Sequence, residues 1–138
     1  MQAQNLDSRS DPEIPTSIPD MKKPVNNVKD LLGEEISTVA FVRDYVEFHF
    51  DGPILRSLSN PTITVHGTNF SFPDVGSRDA LCTVIGSTVC AVELDEHLVL
   101  ELTTTDNSRI SIPLDDENRR GPEAMHFVPK LNGPMQVW

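Results

Sequence analysis

The sequence predicts an α+β domain, mainly β, in which two copies of a short helix and a strand meander pack as a small barrel or sandwich. Three observations carry this expectation. Several short segments alternate apolar and polar residues with period two. A pattern of glycine and apolar positions occurs twice, and the large apolar side chains lie almost entirely after Leu31, with no aromatic before Phe41. At 138 residues the chain has the size of one hydrophobic core.

Residues 1–24 contain Pro12, Pro15, Pro19 and Pro24 among Ser, Asp, Asn and Gln. Such a segment buries too little apolar surface to offset its ordering entropy, so it is expected to be a disordered N-terminal arm. Residues 25–138 are expected to form a single β-rich domain.

The repeat organises that domain. Gly33, Ile36, Val39 and Phe41 recur as Gly86, Val89, Val92 and Leu94, each displaced by 53 residues. Val46, Phe48 and Phe50 then match Leu98, Leu100 and Leu102 at a displacement of 52, which implies one residue lost in the loop between the paired strands. The copies span about 26–58 and 77–114.

Each copy opens on a helical pattern that stops at its glycine. Asn26 or Asn27 caps Val28 to Leu32 before Gly33, and Ser77 caps Arg78 to Ile85 before Gly86. Leu31, Leu32, Leu81, Val84 and Ile85 are the expected anchors. The step of three from Ile36 to Val39, and from Val89 to Val92, breaks strict alternation and predicts a bulge near Ser37-Thr38 and Cys90-Ala91. The strands Tyr45–Phe50 and His97–Leu102 follow, then Ile54–Leu58 and Arg109–Ile112. A linking hairpin at 61–72 turns through His66-Gly67-Thr68, and C-terminal strands are expected within 123–138.

Composition restricts function. A net charge of −10 repels phosphate backbones and argues against nucleic acid. Between Glu93 and Glu117, eight carboxylates (Glu93, Asp95, Glu96, Glu101, Asp106, Asp115, Asp116, Glu117) stand against Arg109 alone, which suits a basic protein partner. No apolar stretch has the length of a membrane span, and the N-terminus lacks a secretion pattern, so a cytoplasmic protein without membrane association is expected. Asn69-Phe70-Ser71 is then a sequon of no consequence. Cys82 and Cys90 lack CxxC spacing and lie in apolar surroundings, where cysteine behaves as a small buried hydrophobe.

Asp79-Ala80-Leu81-Cys82, Ile85-Gly86, Ile112-Pro113-Leu114, Gly121-Pro122-Glu123 and Val137-Trp138 together resemble a group of small uncharacterised bacterial proteins. The resemblance covers about residues 31–138. It implies a prokaryotic cytosolic β-rich domain and supplies no catalytic residue.

Two classes of function follow from the residues. The first is a non-enzymatic interaction domain, an acidic binder of a basic protein, in which the loop Asp115, Asp116, Glu117, Arg119, Arg120 and Glu123 contacts the partner. The second is a small metal-dependent or acid/base enzyme. Glu47 and His49 share a strand face, and the repeat sets Glu101 at the position matching His49. None of the pairs among His49, His66, His97 and His126 has metal-ligand spacing, and hydrolase, nucleotide and metalloprotease motifs are lacking, so no catalytic residue, metal or cofactor is assigned. A monomer and a homodimer fit the sequence equally.

Overall fold

The computed structural model describes residues 25–130 and 133–138, and the arm expected at 1–24 lies outside them. The chain is mainly β, with two five-stranded antiparallel sheets. The first sheet contains β1 (Thr38–Val42), β2 (Tyr45–His49), β3 (Ile54–Ser57), β9 (Met125–Val128) and β10 (Gln136–Val137), in the order β1-β2-β3-β9-β10. The second contains β4 (Thr62–Val65), β5 (Thr68–Ser71), β6 (Val89–Asp95), β7 (Val99–Thr104) and β8 (Arg109–Pro113), in the order β5-β4-β8-β7-β6. Each sheet is therefore a three-strand meander extended by a hairpin from the other half of the chain. No closed barrel forms among the described residues, since both sheets keep free edges.

Alternation decides what each strand buries. Val46, Phe48, Leu55 and Phe127 from the first sheet are fully buried, as are Ile63, Leu100, Leu102, Ile110 and Ile112 from the second. All of them belong to one core cluster with Leu31, Ile36, Leu81, Val84 and Leu114. Removing such side chains from water is worth about 1.5–3 kcal/mol each.

The helical segments are shorter than the sequence suggests. A 3-10 helix covers Val28–Leu31, and Asn27 caps it in a reciprocal box with Asp30. The helix α1 spans only Ser77–Cys82, because the β-branched run Thr83-Val84-Ile85 disfavours continuation and closes in tight turns instead. Gly76, in a left-handed conformation, occupies the N-cap position expected for Ser77, whose buried hydroxyl has no hydrogen-bond partner among the described residues. Leu31, Leu81 and Val84 anchor these segments, whereas Leu32 and Ile85 face outward from the turns before their glycines.

A cross-connection joins the two halves. Gly33 N–H donates to Val89 O (2.8 Å), Gly86 N–H to Ile36 O (2.7 Å), Ile36 N–H to Ser87 O (2.9 Å) and Val89 N–H to Glu34 O (2.9 Å). A displacement of 53 exchanges the first bond with the second and the third with the fourth. It also maps Glu35 onto Thr88, the pair that forms an isolated antiparallel bridge.

The register corrects the sequence alignment downstream of this point. Val39 faces Phe48 and Phe41 faces Val46, while Val92 faces Leu102 and Leu94 faces Leu100. By cross-strand partners the second strands therefore correspond at 54 rather than 52, the β6–β7 turn being one residue longer, not shorter, than the β1–β2 turn. Leu98, assigned to the core by the shorter displacement, sits in that turn at 55% exposure. The expected bulge is present at Cys90, where the register shifts between Val89 and Ala91. In the first half, Ser37 N–H donates to His49 O, the residue that Thr38 also faces. The β4–β5 hairpin turns through two residues rather than three: His66 and Gly67 both have positive φ, and Thr68 already pairs with Val65.

The two cysteines are exposed, contrary to the buried role expected of them. Cys82 lies off the Ser77, Ala80, Leu81 side of α1 that faces the core, and Cys90 sits on the bulge next to inward-facing Val89.

These registers predict that Phe48→Ala and Leu100→Ala each lower unfolding free energy by about 2–5 kcal/mol in urea titrations. Leu98→Ala changes it by less than about 0.5 kcal/mol, as expected of an exposed turn residue. A costly Leu98→Ala would restore the displacement of 52.

Candidate functional site

The outward faces of the two sheets carry corresponding rows of residues with opposite electrostatic outcomes. On the first sheet the row across β1, β2, β3 and β9 is Ala40, Glu47, Arg56 and His126. On the second, the row across β6, β7, β8 and β4 is Glu93, Glu101, Ser111 and Thr62. Each row is the polar half of strands whose alternate residues enter the core.

In the first row the carboxylate is neutralised. Arg56 Nε donates to Glu47 Oε2 at 2.7 Å, and His49 Nε2 lies 2.9 Å from Glu47 Oε1. Arg56 Nη1 reaches His126 Nδ1 at 3.1 Å, and His126 Nε2 reaches Glu123 Oε1 at 2.7 Å. The guanidinium also lies over the Tyr45 ring, 5.6 Å from its centroid. Burial works to raise the Glu47 carboxyl, but hydrogen bonds from His49 and Arg56 and their charges outweigh it, holding the group below its usual value.

The structure therefore brings Glu47 and His49 together and leaves Glu101 elsewhere. Glu101 lies on the second sheet, where it corresponds by register to Glu47 rather than to His49, and its carboxylate accepts from Ser111 Oγ at 3.2 Å. Arg56, His126 and Tyr45 complete the first-sheet network; the sequence offered His126 only as a histidine without metal-ligand spacing and carried no signal for Arg56 and Tyr45. Arg56 and His126 do interrupt Leu55-Arg56-Ser57 and Met125-His126-Phe127 at outward positions, but only the pairing of β3 with β9 makes them neighbours.

In the second row Glu93 faces Glu101 directly, and no cation pairs with either among the described residues. Like charges opposite one another in a sheet are destabilising. More carboxylates gather at one end of this sheet. Leu114 N–H donates to Leu98 O at 2.9 Å, which sets Asp115, Asp116 and Glu117 beside the β6–β7 turn carrying Asp95 and Glu96. Asp106 is separate, in the β7–β8 turn at the other end. Burial works to raise its carboxyl, and hydrogen bonds from Thr104, Ser108 and Ser87 more than compensate, so it lies below its usual value.

The six loop residues divide into two kinds. Asp116 and Glu117 face solvent, while both Asp115 oxygens accept from Asn118 Nδ2 at 2.9 Å. Arg119 donates to Leu114 O (3.2 Å) and Pro122 O (2.9 Å), with Asp116 Oδ1 at 3.8 Å. Arg120 crosses to the carbonyls of Leu58 and Asp44, and Glu123 is held by His126. Arg119 thus holds the loop to itself, whereas Arg120 and Glu123 brace it against the first sheet and line a cleft of about 420 Å³ with Tyr45, Leu58 and Pro122.

Among the described residues, no group of three or more His, Cys, Asp or Glu side chains has the arrangement of a metal site, and no helix is long and apolar enough to cross a membrane. Compared with protein-family models, with curated proteins and with solved structures, the chain matches none.

The depressed Glu47 carboxyl makes a pH prediction. Its interactions contribute stability above the ordinary carboxylate range, and that contribution is lost as pH falls through the depressed folded-state value. Urea unfolding at a series of acidic pH values should show a steeper loss for the native chain than for Glu47→Gln. Parallel curves for the two proteins would contradict the assigned ionisation.

Proposed function

We propose that this protein is a non-enzymatic interaction domain whose second sheet receives a basic protein partner. The observation that carries the reading is Glu93 facing Glu101 without a cation among the described residues, while the corresponding Glu47 is paired with Arg56 and hydrogen-bonded to His49. Asp95, Glu96, Asp115, Asp116 and Glu117 extend the same negative field around one end of the sheet, which favours rapid encounter with a basic surface. An acid/base role for Glu47 and His49 has less support, because both Glu47 oxygens are occupied and Glu101 belongs to the acidic sheet.

The proposed architecture behind this surface is an internally duplicated sandwich. The 53-residue relation among the four hydrogen bonds at 33–36 and 86–89 supports the duplication, and the shared core of the two sheets supports face-to-face packing. The two unbonded cysteines suit a reducing compartment such as the cytoplasm.

The reading separates binding from stability. A lysine-rich peptide should associate with the full chain faster at 0.01 M salt than at 0.15 M, as the Debye length falls from about 30 Å to about 8 Å. Neutralising Asp115, Asp116 and Glu117 together should slow association and leave the unfolding midpoint nearly unchanged. Glu93→Gln should also slow association, yet raise stability by about 0.2–1 kcal/mol by removing the opposed charge. Stopped-flow binding and urea unfolding check the two halves. Salt-independent association, or destabilisation by Glu93→Gln, would overturn the reading.

A further inference from the structure

His126 stands between two partners that demand opposite roles of its ring nitrogens. Arg56 Nη1, a donor only, lies 3.1 Å from Nδ1, and Glu123 Oε1, an acceptor when ionised, lies 2.7 Å from Nε2. The arrangement requires a lone pair on Nδ1 and the proton on Nε2, which describes a neutral imidazole in one tautomer. We propose that His126 is a proton-sensitive link between Arg56 and Glu123 of the 119–123 loop, closed when the ring is neutral and opened at Arg56 when Nδ1 takes a proton.

The groups around the ring define what the proton changes. β3 presents Arg56, the loop before β9 presents Glu123, and β10 presents Val137 as the register partner without a titratable group. Among the described residues, Glu47 and His49 of β2 connect to His126 through Arg56. A second proton sets N–H against N–H at the Arg56 contact and adds cation to cation, so that bond opens. The Glu123 contact becomes an ion pair and persists. Arg56 keeps Glu47 and the Tyr45 ring, and the Glu123 wall of the adjoining cleft is no longer tied to the guanidinium. The device is independent of the acidic second sheet.

Long-range proton–nitrogen NMR on the full chain reads the link directly. At neutral pH the Nε2-protonated tautomer of His126 should exceed the other by roughly tenfold or more, since the alternative forfeits hydrogen bonds to charged groups. On acidification, the Arg56 Nε–H and Tyr45 ring signals should shift in step with the His126 ring signals. His49→Gln should preserve that coupled shift, whereas His126→Gln should abolish it. Arg56→Met, a second route should His126→Gln fail to fold, should reduce the excess of the Nε2 tautomer, which Glu123 alone then favours, and abolish the coupled Tyr45 shift. An Nδ1-protonated or mixed ring in the native chain, Arg56 signals that follow His49, or signals that do not move with pH would each overturn the proposal.

Discussion

The cross-connection between residues 33–36 and 86–89 is the constraint on which the rest of the structure depends. Four backbone hydrogen bonds and the Glu35–Thr88 bridge join the start of one meander to the start of the other. Gly33 and Gly86, with φ of +89° and +91°, let each chain segment turn out of its helical turn and into this pairing. Open space surrounds the Cβ position at both glycines, so the requirement there is backbone conformation and not room. Once the two starts are paired, the meanders run into separate sheets, and each sheet is completed by the hairpin of the other half. The non-local pairings β3 with β9 and β4 with β8 therefore tie the halves together at a second place, far along the chain from the first.

That exchange of hairpins explains why the fold was partly legible in the sequence and the site was not. Period-two alternation located the strands because it reports only which face of a strand meets the core. The repeat located the paired glycines because a left-handed turn needs the same residue type twice. The register beyond Phe41 was misread, since Leu98, Leu100 and Leu102 alternate equally well at either displacement, and only cross-strand partners distinguish a turn leucine from a core leucine. The helices were overextended because an apolar run before glycine reads alike as helix or as tight turn. The contact of Arg56 with His126 stayed invisible for a deeper reason: they are 70 residues apart and meet only because β9 crosses to the sheet of β3.

The same exchange gives equivalent rows different chemistry. His126, arriving from the C-terminal hairpin, supplies Arg56 with an acceptor and ties it to the 119–123 loop, while Arg56 itself compensates Glu47. Thr62, arriving from the inner hairpin at the matching place, offers no charge, and Ser111 stands where Arg56 would. Glu101 is left with one hydroxyl donor and a facing glutamate. A shared scaffold thus holds one face closed by internal ion pairs and another whose field extends into solvent.

A charge on an exposed sheet edge also discourages edge-to-edge association, and β6 is an edge strand, so Glu93 has a structural explanation that needs no partner. That explanation does not extend to Glu101. β7 is paired on both sides, by β6 and by β8, and a carboxylate there guards no edge. Nor is edge charge a rule of this chain, because β1, one edge of the first sheet, reads Thr-Val-Ala-Phe-Val without an ionisable residue. Two facing carboxylates raise the energy of the folded chain, and only Glu93 guards an edge in return. The basic partner proposed above would lower this energy on binding and so account for both residues at once, whereas edge protection accounts for only one.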